Sequence, residues 1–167
     1  MLVKLKVPHC RFLVLALLLM LPAACDGETA QDFEVELFDG GRFLLSEQYA
    51  EQVVVVNFWY PSCPPCREEM PEFQRAWEEL DGEPVRFLGL FVPKGFDTEQ
   101  AAREFVTELG LGFDFATDGK EAIATAYGIE YYPTTWFIDR GGRVSATHVG
   151  ALDAGRITGI VRGMLED

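Results

Sequence analysis

Residues 53–73, VVVVNFWYPSCPPCREEMPEF, constrain the fold of this chain more than any other stretch. Apart from Asn57, the run over 53–60 is β-branched and aromatic, which is typical of a strand buried on both faces of a sheet. Apolar residues then recur at helical spacing among charged ones, so we expect a helix over 64–82. Cys63 and Cys66 therefore lie where a central strand ends and a helix begins, the place where reaction sites gather in open α/β sheets.

The rest of the chain continues to alternate between strands and helices. A short hairpin or two extended pieces are predicted over 33–46 and a hairpin over 134–150, each around a turn with two glycines. The helix predicted at 97–110 begins with an Asp or Thr cap and ends at a Gly. The other expected elements are strands at 85–92 and 113–117 and helices at 119–128 and 153–167. The apolar face of the helix after the cysteines is predicted to consist of Met70, Phe73, Trp77 and Leu80, with a kink at Pro71. This order predicts one α/β domain with a mixed central sheet flanked by helices.

The first 24 residues do not belong to that domain. Three basic residues precede an unbroken apolar run of 11 residues, which is too short for a comfortable membrane span and predicts a signal sequence over 1–24. Cys25 follows two alanines and resembles the lipidated cysteine of a bacterial lipoprotein, although Pro22 stands where that pattern has an aliphatic residue. Ordinary cleavage after Ala24 and an uncleaved anchor are the alternatives, and all three versions export the domain.

An extracytoplasmic protein held at the cell membrane is therefore expected. Residues 25–31 are polar and predict a tether of at most about 25 Å, followed by the folded domain over 32–167. The chain has 27 acidic and 14 basic residues. This acid excess argues against nucleic-acid binding and against attraction to anionic lipid, so the anchor would supply the membrane association.

Two thiols, Cys63 and Cys66, remain once the leader is removed and Cys25 is lipidated or cut away. Zinc is disfavoured, because a C-x-x-C half-site needs a second pair of ligands and the exported domain offers only His148. We expect neither a metal nor another cofactor. A permanent disulfide across so short a loop would constrain the unfolded chain very little, which favours a redox pair.

The position of the pair at a helix N-terminus indicates how it would react. The helix dipole and free N–H groups would lower the pKa of Cys63, which attacks a substrate disulfide, while Cys66 resolves the mixed disulfide. Cys66 should be the better shielded of the two. The intervening prolines lack N–H groups, so the lowering of the pKa should be smaller than with a spacer that contains glycine.

Three segments together resemble the TlpA/ResA-type thiol–disulfide oxidoreductases, which are membrane-tethered and have a thioredoxin fold. They are VVVVNFWYPSCPPCREEMPEF, YGIEYYPTTWFIDRGGRV and HVGAL, and the resemblance covers essentially all of residues 31–167. It implies a thioredoxin fold with an N-terminal β extension. It also implies a monomer that receives electrons from a membrane donor and reduces disulfides in exported proteins, often the haem-attachment cysteines of apocytochromes c.

Carried over position by position, the resemblance makes Cys63 the nucleophile and Cys66 the resolving thiol. Glu69 matches an acidic residue near the pair and shares a helix face with Cys66, so it would accept or supply a proton when Cys66 acts. The alternative is that Glu69 is a surface acid like its neighbours Glu68 and Glu72.

The resemblance also assigns the second loop of the site, residues 132–134. Pro133 matches the family's cis-proline, whose loop lies against the cysteine pair. A cis bond here would leave the backbone of Tyr132 free to pair with an extended substrate, and we include Thr134 in the same substrate-binding segment.

The chain departs from the family pattern at two positions. Ser62 stands where the family has Trp, and Asn57 stands where cytosolic thioredoxins carry a buried acid, so Glu69 would have to serve alone. Trp59 and Tyr60 would rebuild part of the lost apolar surface, or Trp59 is simply core. Residues 91–96 are a further oddity, either an exposed loop near the site or only a strand end.

Three other functions compete with disulfide reduction. A peroxiredoxin shares the fold, but its signature Thr falls on Cys63 when the peroxidatic cysteine is aligned with Cys66. A copper-handling chaperone of related fold would use both cysteines and His148, but such proteins space their thiols by three residues. The same dithiol could also oxidise its partners, because only the reduction potential decides the direction.

Overall fold

The computed structural model describes residues 28–166, and its centre is a five-stranded sheet. The predicted signal sequence, Cys25 and the first part of the predicted tether lie outside the described residues. The strands are β1 Glu34–Glu36, β2 Arg42–Leu44, β3 Val53–Trp59, β4 Val85–Phe91, β5 Asp114–Thr117, β6 Thr134–Ile138 and β7 Val144–Val149. The helices are α1 Leu45–Tyr49, α2 Pro64–Glu79, α3 Glu99–Glu108, α4 Ala122–Ala126 and α5 Ala154–Glu166.

The sheet has the order β5-β4-β3-β6-β7 and is mixed, as the sequence predicts. β3 pairs parallel with β4 and antiparallel with β6, and every residue of β3 is buried. Its odd-numbered side chains, such as Val55 and Trp59, face the layer of α2, α3 and α5. Its even-numbered side chains, such as Val54 and Phe58, face the layer of α1, α4 and the β1–β2 hairpin. None of the described helices is long and apolar enough to cross a membrane.

The N-terminal hairpin is shorter than predicted, and its second half continues as a helix. β1 pairs with β2 around a turn at Asp39, where Gly40 has a φ of 86° that a side chain would strain. The chain then forms α1 from Leu45, a helix that was not predicted because five residues are too few to show a period.

The predicted tether boundary at residue 32 is too late. Ala30 is buried and its N–H donates to Gly142 O at 2.9 Å, while Glu28 O accepts from Val144 N at 2.8 Å. The hydroxyl of Tyr127 donates to Gln31 O at 2.6 Å. These contacts use backbone groups, which the polar side chains of the segment do not reveal. The domain therefore includes residues 28–31.

Helix α2 carries the predicted apolar face with one correction. Met70, Phe73 and Leu80 are buried, but Trp77 is 37% exposed because the neighbouring Ala76 takes the core position. The helix continues through Pro71. The predicted cap of α3 is confirmed, because the Thr98 hydroxyl accepts a hydrogen bond from Ala101 N at 3.2 Å.

Candidate redox site

Cys63 and Cys66 are joined by a disulfide at the junction of β3 and α2. Their Cα atoms are 5.3 Å apart, and Cys63 is the N-cap of the helix. The sulfur of Cys63 accepts a hydrogen bond from Cys66 N at 3.2 Å. Since Pro64 and Pro65 have no N–H groups, this is the first backbone donor that the helix offers to the sulfur.

Both cysteines are nearly inaccessible in the oxidised state. Cys63 is 2% exposed and Cys66 is 0% exposed. Cys66 is thus the better shielded of the two, as predicted, but the difference is small. The pair belongs to the core cluster between the sheet and the α2 layer, which also contains Trp59. Trp59 is thus a core residue and does not replace the missing surface tryptophan.

The predicted cis bond is present between Tyr132 and Pro133. Thr134, which follows Pro133, pairs with Phe58, the residue before the last residue of β3. This pairing places the loop beside the end of β3. The ring of Tyr132 packs edge-on against that of Tyr60, with centroids 5.3 Å apart. The second loop of the site therefore lies next to the strand end from which the cysteine motif begins.

Thr134 is less suited than Tyr132 to contact a substrate. Thr134 is buried, and its hydroxyl donates to Tyr131 O at 2.7 Å. Its backbone lies in β6, which pairs with a strand on each side. Tyr132 precedes β6 and has no ladder partner. The geometry therefore favours Tyr132 as the residue whose backbone could pair with an extended chain.

Glu69 is a buried acid, so the alternative that it is a surface residue is wrong. It is 1% exposed, whereas Glu68 on the same helix is exposed. One carboxylate oxygen accepts from Asn57 Nδ2 at 2.8 Å and the other from Leu152 N at 3.2 Å. The Asn57 amide also donates to the Thr135 hydroxyl at 3.0 Å. Asn57 therefore links the acid of α2 to strands β3 and β6.

Burial raises the pKa of Glu69 from its ordinary value of 4.5 to about 8. Desolvation of the carboxylate is the largest cause, and the hydrogen bonds from Asn57 and Leu152 oppose it. A carboxyl group with such a pKa exchanges its proton near neutral pH, which is what acid–base chemistry requires. Since Glu69 and Cys66 are three residues apart and both buried on one face of α2, the group is placed to serve that thiol.

Ser62 is held by a contact that the sequence did not indicate. Its hydroxyl donates to the carboxylate of Asp97 at 2.6 Å, and its N–H donates weakly to the same oxygen at 3.4 Å. The segment 91–96 therefore begins as the end of β4, with Phe91 and Val92 buried, and continues as a loop beside the site, so each predicted alternative describes part of it. Sequence reasoning missed Asp97 because it is 35 residues away from Ser62.

His148 lies on β7 opposite Thr135, in the same row across the sheet as Asn57. Within residues 28–166, no group of three or more His, Cys, Asp and Glu side chains is arranged to hold a metal ion.

Comparison with known proteins relates this chain to one protein family and to thiol–disulfide oxidoreductases. Residues 27–147 match the AhpC/TSA family. The thiol–disulfide oxidoreductase ResA of Halalkalibacterium halodurans is 31% identical over 75% of this chain and 69% of its own length. The thioredoxin-like protein YneN of Bacillus subtilis is 28% identical over 76% of this chain and 73% of its own.

A solved structure confirms the predicted fold. The thiol:disulfide interchange protein of Chlorobium tepidum TLS, a thioredoxin family protein, superposes with a TM-score of 0.74. The match covers 86% of this chain and 99% of that one, at 24% sequence identity. The mixed sheet with helices on both faces is therefore a thioredoxin fold.

Proposed function

The chain belongs to the AhpC/TSA family and is a ResA-type thiol–disulfide oxidoreductase, and from this premise we propose that it reduces disulfides in exported proteins through Cys63 and Cys66. One observation carries the proposal. The two cysteines form a disulfide at the N-terminus of α2, where the sulfur of Cys63 meets the first N–H group of the helix. This is where a thiolate is stabilised and where a dithiol closes with little backbone movement.

The reaction transfers two electrons from the enzyme dithiol to the substrate disulfide, and the two cysteine sulfurs have different roles in it. In the reduced enzyme, the Cys63 thiolate attacks one sulfur of the substrate disulfide, and the other substrate sulfur leaves as a thiolate. Cys66 then loses its proton and attacks Cys63. The second substrate sulfur is released, the substrate becomes a dithiol, and the enzyme keeps the Cys63–Cys66 disulfide.

Glu69 is the proposed acceptor of the Cys66 proton. A buried thiol ionises reluctantly, so the second step needs a base that operates within the same dry environment. The pKa of Glu69, raised to about 8 by its burial, leaves a useful fraction of carboxylate near neutral pH. Asn57 supports this role because its amide donates to the carboxylate at 2.8 Å.

The loop before β6 is the proposed contact for the substrate backbone. Tyr132 lies next to the end of β3, and its backbone is outside the sheet ladder. An extended chain could pair with it by strand-like hydrogen bonds while presenting a disulfide to Cys63. Pro133 and Thr134 then act by holding Tyr132 in place.

The compartment and the partners are proposed from the sequence. The leader and Cys25 favour an exported, lipid-anchored protein. From the resemblance to the TlpA/ResA type, we propose a monomer that is re-reduced by a membrane electron donor. Disulfides of exported proteins, including the haem-attachment cysteines of apocytochromes c, are the proposed substrate class. The similarity to ResA supports the type of reaction, thiol–disulfide exchange, and does not identify the substrate.

The roles of the two cysteines are tested by trapping. The full chain carrying Cys66→Ser is reduced, mixed with a disulfide-bonded test protein and analysed by non-reducing electrophoresis. We expect a mixed disulfide on Cys63, because Cys66, the thiol that would resolve it, has been replaced. The full chain carrying Cys63→Ser should trap none, and equal trapping by the two variants would reject the assigned roles.

The direction of electron flow is tested by the reduction potential of the pair. A two-electron transition near about −270 mV, the thioredoxin value, would support a reductase. A value near about −120 mV would instead identify an oxidant that introduces disulfides and would reject the proposed direction.

A further inference from the structure

Exposed apolar side chains gather at the end of the sheet that carries Cys63. Among the large apolar side chains of the described residues, the three most exposed are Phe96, Tyr131 and Val149. Phe96 follows β4, which runs parallel to β3, while Tyr131 precedes β6 and Val149 ends β7. Because β6 is antiparallel to β3, all three segments lie at the edge where the cysteine motif begins.

Phe96 is the most exposed of the three, and it lies outside the loop that contains the cis-proline. Phe96 is fully exposed. A phenylalanine surrounded by water gains nothing from the hydrophobic effect in the free protein, and such a side chain beside a reaction centre is typical of a binding surface.

The loop that presents Phe96 is an ordered turn. Asp97 N donates to Lys94 O at 2.8 Å, and Gly95 between them has a φ of 57°, the left-handed region that favours glycine. At the start of the loop, Val92 N donates to Trp59 O at 2.9 Å. Phe96 is therefore held at the tip of a defined turn.

Side chains tie this turn to both loops of the redox site. On one side, the Asp97 carboxylate accepts from the Ser62 hydroxyl at 2.6 Å. On the other side, the ammonium of Lys94 lies 5.3 Å from the centroid of the Tyr132 ring and forms an ion pair with Glu121. An aromatic residue whose backbone is already fixed loses less conformational freedom on binding than one in a mobile loop, which suits an interface anchor.

We propose that Phe96 is a docking anchor for the oxidised protein substrate, packing against an apolar side chain of the segment that carries the attacked cysteine. This inference rests on the proposed function, because the occupant must place a disulfide at Cys63. The surface continues directly from the proposed reaction centre, since Ser62 adjoins Cys63 and Asp97 adjoins Phe96.

The same contact limits where the apolar residue of the substrate can lie. With Cα steps of about 3.8 Å and a 2.6 Å hydrogen bond between Ser62 and Asp97, the Cα atoms of Cys63 and Phe96 are at most about 16 Å apart. An extended chain advances about 3.3 Å per residue, so it covers this distance in about five residues. The preferred substrate therefore has an apolar side chain within about five residues of its reactive cysteine.

The test compares two disulfides that differ in reach. One is a synthetic peptide with an internal disulfide and a leucine four residues from a cysteine, together with a sister peptide that has serine in place of the leucine. The other is bis(2-hydroxyethyl) disulfide, which is too small to reach Phe96. The full chain is purified in mild detergent and reduced, and the second-order rate constant for each disulfide is measured by quenching with an alkylating reagent.

The measured quantity is the rate constant for the leucine peptide divided by that for the small disulfide. We expect this ratio to fall about fivefold in Phe96→Ser and less than twofold in Phe96→Leu. Leu109→Ser is the matched control, because Leu109 is 38% exposed and caps the opposite end of α3, so the ratio should not change.

Each other outcome overturns the inference in a distinguishable way. A ratio that changes less than twofold in Phe96→Ser, or an equal loss with the serine peptide, would show that Phe96 does not bind the apolar residue. If Phe96→Ser instead weakens binding to phosphatidylcholine vesicles and leaves the ratio unchanged, the residue contacts lipid. If the unaltered enzyme reduces neither disulfide, the proposed function fails together with the inference.

Discussion

Replacing Glu69 by glutamine should stabilise the protein by an amount that grows as the pH rises from about 4.5 to about 8. Glutamine has nearly the same shape but carries no charge. Asn57 can accommodate it, because its Oδ1 has no hydrogen-bond partner. A rotated Asn57 amide would offer this oxygen to the new side chain, and the hydroxyl of Thr135 would turn to donate to the amide. The substitution therefore removes the titration of the site with little change in packing.

The magnitude follows from the pKa of Glu69. Between pH values of about 4.5 and 8, an unfolded chain has lost this proton while the folded protein still holds it. Folding then binds a proton, so the free energy of unfolding falls as the pH rises through this range. A pKa difference of about 3.5 corresponds to about 5 kcal/mol at 1.36 kcal/mol for each pKa unit, and structural relaxation around the charged form reduces it to about 3 to 5 kcal/mol.

The assay is urea denaturation of the oxidised full chain between pH 4 and pH 9. In the oxidised form neither cysteine titrates, and groups outside the site contribute equally to both proteins. The difference in the free energy of unfolding between Glu69→Gln and the natural chain should be within about 1 kcal/mol at pH 4 and reach about 3 to 5 kcal/mol at pH 9. Glu68→Gln, at an exposed position of the same helix, should show no such trend. A difference for Glu69→Gln that stays constant across the range would refute the reasoning.

Three further substitutions test the packing and polar contacts around the sheet. Asn57→Leu removes a hydrogen bond that favours the carboxylate form of Glu69, so the pKa of Glu69 should rise further. The pKa is measured by ¹³C NMR titration of the Glu69 carboxyl carbon, and an unchanged or lower value would contradict this prediction. Gly89→Ala would place a Cβ atom in steric overlap with the Phe115 ring, so it should lower the free energy of unfolding in urea by about 1 to 3 kcal/mol. A neutral effect would show that the ring moves freely. Asp118→Ala removes the carboxylate that accepts from two N–H groups at the start of α4, at 2.9 and 2.7 Å. It should cost about 1 to 2 kcal/mol in thermal unfolding, and Asp118→Asn should cost less.

The order of strands and helices was predictable because each long element carries a clear period. β3 is apolar at every position except Asn57, and α2 and α3 have strong caps or apolar faces, so their positions follow from local chemistry. The short elements were not as clear. Residues 119–128 divide into a 3-10 turn and α4, because Lys120 and Glu121 adopt φ values of 62° and 56° that no sequence pattern indicates.

The position of the redox pair was also predictable, since it follows from the junction of a strand and a helix. The burial of Glu69 was not. It is one of three glutamates in five positions of α2, and helical periodicity alone does not say how far the core extends around the helix. The answer depends on Leu152, whose N–H lies 83 residues away and covers the second carboxylate oxygen.

The two departures from the family pattern are explained by contacts that link distant parts of the chain. Asn57 cannot carry a proton, but its amide neutralises part of the cost of burying Glu69, whereas an acid at this position would place two like charges within 3 Å. Ser62 provides no apolar surface, but its hydroxyl holds Asp97 and with it the turn that presents Phe96. In both cases an uncharged polar residue in the strand or motif is hydrogen-bonded to an acid that lies in another segment of the chain. Each of these two residues therefore has to be judged together with its partner in space, Asn57 with Glu69 and Ser62 with Asp97.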